Sequence, residues 1–319
     1  MSLVKTTESL DLTVVIPFYN RSNYAKRLLD SVIQQSLTPK FIFFVDNGSK
    51  IEELERLHEI INSVDHKDIN IQCLKTEKFG NANYARNLGL EQANTQYVAF
   101  LDSDDWWEPC HLENSLKILN KSSKAGIYGG AIIHYGNSKV VNSSGDIALV
   151  DTPYHILFSN AGWSAQTSSY IVNKNKLKNL KWDESLKRHQ DYDFFLALQY
   201  LTEGWVFNPI PTSHLERDDA VSGRNFDIKS MIGFLEKWKQ KFPETCLKKY
   251  LVDQMDLCII ANIDKKYYEY YENIYLNLVD SDYVFHVEYI YRNLRQKIIF
   301  FLKKHGLFSL FKIILRKHK

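Results

Sequence analysis

The sequence predicts an α/β fold, a mostly parallel Rossmann-like sheet followed by a C-terminal helical extension. Three observations carry this. Short apolar runs of strand length alternate with helically spaced segments through the N-terminal third. The ends of those runs collect polar groups, chiefly acids. Beyond roughly Asp227 the pattern turns helical throughout, which divides the chain into residues 1–225 and 226–319.

The first apolar run is Val14 to Ile16, and Tyr24, Leu28 and Val32 follow it at helical spacing. Phe41 to Val45 forms the second, followed by Leu54, Leu57 and Ile61. Ile69 to Leu74, Asn83 to Ala93 and Tyr97 to Leu101 continue as strand, helix and strand. From Ala125 the periodicity loosens, with Gly136-Asn137 as a hairpin turn between Ile132 to Tyr135 and Lys139 to Val141. A helix over Asp191 to Leu201 and a strand over Trp205 to Phe207 come next. In the last region Tyr267, Tyr268, Tyr271 and Tyr275 share a helix face.

Composition narrows the function. Four scattered cysteines with no C-x-x-C pair argue against a disulfide framework or zinc site and fit a reducing, cytoplasmic setting. The N-terminal residues are polar, and Val14 to Phe18 is too short for a signal or spanning segment. Net charge is +2, but nine Lys or Arg follow Glu288, the last acid. Residues 1–288 hold 31 basic against 38 acidic residues, a balance of −7. An acidic body with a basic tail does not describe a nucleic-acid-binding protein, and no nucleic-acid partner is expected.

In an open α/β sheet, ligands bind outside the carboxyl ends of the strands. Here those ends carry Pro17, Tyr19 and Asn20, then Asp46, Asn47, Gly48 and Ser49, then Asp102, Ser103, Asp104 and Asp105. Carboxylates so close repel one another. A divalent Mg²⁺ or Mn²⁺ ion relieves the repulsion, since it takes oxygen ligands and bridges one or two carboxylates to substrate phosphates. The competing reading is a solvated turn or helix cap leading into Trp106, Trp107, Glu108 and Pro109.

At these positions the sequence resembles the family 2 glycosyltransferases, inverting enzymes of the GT-A fold that include the bacterial surface-polysaccharide type. The resemblance rests on five blocks in order: Val15-Ile16-Pro17-Phe18-Tyr19-Asn20; Asp46-Asn47-Gly48-Ser49; Ala85-Arg86-Asn87-Leu88-Gly89; Asp102 to Asp105; and Asp191-Tyr192-Asp193. It implies transfer of a sugar from a nucleoside-diphosphate donor, with UDP expected because a carboxylate accepts the imino N–H of uracil. The acceptor would be a hydroxyl of a glycan or lipid-linked molecule. Pro17, Tyr19, Asn20, Asp46, Asn47, Arg86, Asp102 and Ser103 would hold the nucleotide. Asp104, with His214, would hold the metal, while Asp105, Trp163, Gln166 and Arg217 would face donor sugar or acceptor. Asp191 is the expected base, with Asp193 as second candidate.

Two departures bear on these roles. Asn47 replaces an aspartate of the family pattern, and Gln190 replaces the glutamate before Asp191. Asp191 also suits an ordinary helix cap, and residues 216–224 suit either a surface loop or a lid. A sugar nucleotidyltransferase is a rival, but it wants a Gly-rich phosphate loop where Pro17 to Asn20 stand. A non-catalytic nucleotide-sugar-binding module is the other. In the tail, Ile298, Phe301, Leu302, Phe308, Phe311 and Leu315 lie among lysines and arginines. This pattern suits an amphipathic helix pair lying on an anionic membrane surface at the inner face of the cytoplasmic membrane. Packing on its own domain or on a second copy in a homo-oligomer is the alternative.

Overall fold

The computed structural model describes residues 10–66, 68–136, 138–159, 161, 163–216, 227–261 and 263–278. Strands β1 (Leu10–Phe18), β2 (Pro39–Asp46), β3 (Asn70–Lys75) and β4 (Tyr97–Phe100) run parallel in the order β3-β2-β1-β4. The crossovers are helices α1 (Ser22–Ile33), α2 (Ile51–Ser63) and α3 (Ala82–Gln92). β1 is buried from Leu12 to Phe18, as expected of a parallel strand covered on both faces. α1 buries Ala25, Leu28, Leu29 and Val32; of the expected stripe Leu28 and Val32 face the core, while Tyr24 is half-buried. α3 lies so close to β1 that a Cβ added at Gly89 would sit 2.4 Å from a Val15 methyl.

The sheet then becomes mixed. Its order continues from β4 through β8 (Ile171–Asn173), β6 (Gly126–Tyr135) and β9 (Trp205–Glu216) to β5 (Trp106–Trp107). β8 is antiparallel to both its neighbours, β6 and β9 are parallel, and β5 is antiparallel to β9. The expected hairpin forms between β6 and β7 (Ser138–Asn142). Helices α4 (His111–Leu119), α5 (Tyr154–Phe158) and α6 (Gln190–Leu201) complete this half. β9 runs well past Phe207, where its sequence pattern stops. Pro209 and Pro211 lack an N–H to donate, and the pairing with β6 shifts register between Gly129 and Ala131, so the strand resumes beyond an irregularity.

The chain divides into compact units at Lys241 and Phe242, not near residue 225. The reason is α7 (Ile228–Trp238), which is pinned to the first unit: Trp238 Nε1 and Lys237 Nζ each lie 2.8 Å from Asp193 Oδ1. The second unit is described through α8 (Glu244–Ile260) and α9 (Lys265–Leu278), with Tyr271 and Tyr275 buried one turn apart on α9. Among the described residues no helix is long and apolar enough to cross a membrane. The basic tail lies outside the described residues.

Candidate active site

Two adjoining hollows open at the carboxyl edge of the parallel strands, sharing Tyr19 and Asn47. The first, about 490 Å³, is lined by Asp46, Gly48, Ser49, Lys75, Phe79 and Gly80 as well. Asp46 ends β2, and its Oδ1 accepts the Ser49 N–H at 2.8 Å. Its Oδ2 is buried and has no hydrogen-bond partner among the described residues. A buried acceptor left so costs about 1–3 kcal/mol, which a ligand N–H would recover. Asn20 adopts a left-handed conformation (φ +50°) that aims it at the next loop. There its N–H donates to Ser49 Oγ and its Oδ1 accepts the Lys50 N–H, at 3.1 and 2.9 Å. Asn20 therefore ties the β1 and β2 loops together.

The second hollow, about 270 Å³, is lined by Pro17, Arg21, Arg86, Asp102, Ser103 and Asp104 among others. Arg86 is almost fully buried, yet its Nη2 reaches Asp102 Oδ1 at 2.6 Å and its guanidinium stands 4.6 Å over the Trp182 ring. Asp104 is about a third exposed and pairs loosely with Arg21 at 3.6 Å. Asp191 enters from α6, whose preceding residue His189 is strained into the left-handed region (φ +57°). Burial lifts the Asp191 carboxyl above its ordinary range, while the Tyr192 N–H and the Arg86 charge pull it back; Asp102 adds to the lift. Asp191 thus stands in the electrostatic field of two residues that line the second hollow.

The model of the family described as Glycosyl transferase family 2 matches residues 13–182, more than half of the chain. This chain belongs to glycosyl transferase family 2. It is similar to the amylovoran biosynthesis glycosyltransferase AmsB of Erwinia amylovora, 26% identical over 240 residues, covering 73% of this chain and 79% of that protein. It is also similar to the putative teichuronic acid biosynthesis glycosyltransferase TuaG of Bacillus subtilis, 33% identical over 119 residues, or 37% and 46% of the two chains. In fold it is similar to residues 1–349 of S. aureus TarS in complex with UDP-GlcNAc, with a TM-score of 0.55 at 17% identity over 84% of this chain and 72% of that one.

In this family 2 glycosyltransferase several expected residues take other places. Asp105 is buried, and its carboxylate accepts the Ser168 hydroxyl, so it braces the loop and does not line either hollow. Asp193 is 2% exposed and committed to Lys237 and Trp238 of α7, which makes it an anchor. His214 has both ring nitrogens engaged at 2.8 Å, Nδ1 with His134 and Nε2 with Glu108, and stacks on Trp106. That arrangement does not fit a metal ligand. Trp163 covers Gly145, and the Gln166 carbonyl accepts the Ser169 N–H at 2.8 Å; neither lines the hollows. Arg217 lies outside the described residues. Conversely, Phe79, more than half exposed beside Gly48, and Lys75 both line the first hollow. An exposed aromatic before a glycine was the available signal for Phe79; Lys75 carries none.

Among the described residues no group of three or more His, Cys, Asp or Glu is arranged to hold an ion by itself. Magnesium-like ions seldom need one, because they keep waters and share one or two carboxylates with substrate phosphates. The Asp104 carboxylate at the lining of the second hollow fits that manner of binding.

Proposed function

We propose that the enzyme transfers a sugar from a UDP-sugar, with inversion, to a hydroxyl of a glycan or lipid-linked acceptor in surface-polysaccharide synthesis. The names of AmsB and TuaG, and the UDP-GlcNAc bound to TarS, support the pathway and the donor. The observation that carries the reading is Asp191, a sheltered carboxylate in the field of Arg86 and Asp102, the two of its charged neighbours that line the hollow together with Asp104.

Uracil enters the first hollow, where Asp46 Oδ2 accepts its imino N–H and Tyr19 and Phe79 offer aromatic faces. Asp102 faces the ribose and Arg86 stands beside the diphosphate. Asp104 would hold Mg²⁺ or Mn²⁺, which when bound supplies charge neutralisation to the departing diphosphate. Asp191 takes the acceptor proton as the hydroxyl oxygen bonds to the anomeric carbon and the UDP oxygen leaves, so an α-linked donor gives a β-glycoside. Incubation with a panel of nucleotide sugars is expected to release UDP only when an acceptor polysaccharide fragment and manganese are both present. Asp104→Asn is expected to remove the metal-dependent activity. Full turnover of that variant, or of wild type in chelator, would take Asp104 and the ion out of the mechanism.

A further inference from the structure

Residues 181–189 lead into α6 without forming a helix or strand, so their backbone groups need partners from elsewhere. One face of α3 supplies them. Asn81 Nδ2 donates to the carbonyls of Glu184 and Leu186 at 2.9 and 3.0 Å, and Asn83 Nδ2 to those of Asp183 and Leu186 at 2.7 and 3.2 Å. Asn87 grips Trp182 from both sides: its Nδ2 donates to the carbonyl at 2.9 Å and its Oδ1 accepts the N–H at 2.8 Å. Nδ2 of Asn87 also reaches Glu184 Oε1 at 3.0 Å. All three asparagines are buried. Asn83 and Asn87 stand one turn apart on one helix face, and Asn81 caps the same helix, so α3 and its cap carry these amide contacts.

The same helix belongs to the donor side, since Ala82 and Arg86 line the second hollow and Asn83 Oδ1 accepts from Arg86 Nη1 at 3.1 Å. What is fastened is the segment that delivers Asp191. We propose that Asn83 and Asn87 are positioning residues: they lock residues 182–186 to the donor-binding helix and so set where the Asp191 carboxylate stands relative to the donor. Amide groups suit this task, because each both donates and accepts and adds no charge beside the base. The proposal rests on the glycosyltransferase reading for its effect on turnover, but the fastening has a readout of its own.

Asn87 is the cleaner test, because its side chain bonds to Trp182 and Glu184, whereas that of Asn83 also holds Arg86. Asn87→Ala removes the grip, and Asn87→Asp keeps the size and the acceptor while losing both donors and facing Glu184 with a like charge. UDP affinity is expected to stay within about threefold of wild type, while kcat falls roughly tenfold to a hundredfold, the scale of a misplaced reacting group. The acid limb of kcat is expected to move to lower pH as Asp191 gains water. Hydrogen exchange at the backbone of residues 187–193 is expected to quicken in the folded variants without a matching change in β1 or β2. Wild-type exchange in that segment together with wild-type kcat in Asn87→Asp would overturn the proposal. Should wild type transfer no sugar from any donor, the functional reading fails, and the exchange measurement still decides whether the asparagines hold the segment.

Discussion

At Asp191 two demands meet: a base must be ionised to accept a proton, yet sheltered enough to hold it. Burial raises its pKa, with the Tyr192 N–H and Arg86 opposing. The folded state therefore favours the protonated form, and as pH rises through the unfolded and then the folded pKa, stability is lost. Asp191→Asn is accordingly expected to melt higher than wild type near pH 7, with the gap closing in acid, while kcat drops by about 10²–10⁴. Equal melting at all pH values, or preserved transfer, would refute that assignment. Asp46→Asn is expected to weaken UDP binding about tenfold to a hundredfold, the worth of a hydrogen bond to a charged group, measured by calorimetry. Asp46, Asp102 and Asp104 were legible because strand ends mark their place. Asp191 and Asp193 were not separable, since residues two apart on a helix face different ways and only tertiary packing says which way is in. The contacts of His214 could not be read either, because its partners, His134 and Glu108, stand far from it in sequence.

Most of the parallel half of the sheet was readable because β1, β2 and β4 are continuous apolar runs and α1 and α2 amphipathic stripes, so sequence period and structure coincide. β9 and β5 were not. Two prolines interrupt the first, and the second is two tryptophans whose strand character exists only through pairing with His214 and Ser213. α3 combines both cases: its length was evident, but nothing in its period announces that its asparagines grip a loop. The helix also needs Gly89 for its approach to Val15, and Gly89→Ala is expected to cost about 1–3 kcal/mol by overpacking. A urea midpoint equal to that of wild type would mean that α3 shifts without strain. Tyr192, stacked on His189, shows the same limit of sequence reading: the left-handed turn that starts α6 involves a histidine, not the glycine that usually signals one.

Across the whole chain, charge is the property that sequence states most directly. The nine cationic residues after Glu288, joined to a body of −7, are expected to bring the enzyme up with anionic vesicles in a flotation gradient, and removal of residues 289–319 to leave it in the dense fraction. Flotation that survives truncation would assign the contact elsewhere. The strand order has its own outcome for a chain emerging from the ribosome. β3-β2-β1-β4 draws only on residues up to Phe100, so the hollow around Asp46 can form early from neighbours in sequence. β4 must then wait for β8, and α6 arrives later still. A chain cut after Phe100 would therefore keep every residue that lines the hollow at Asp46 while lacking Asp102, Asp104 and Asp191.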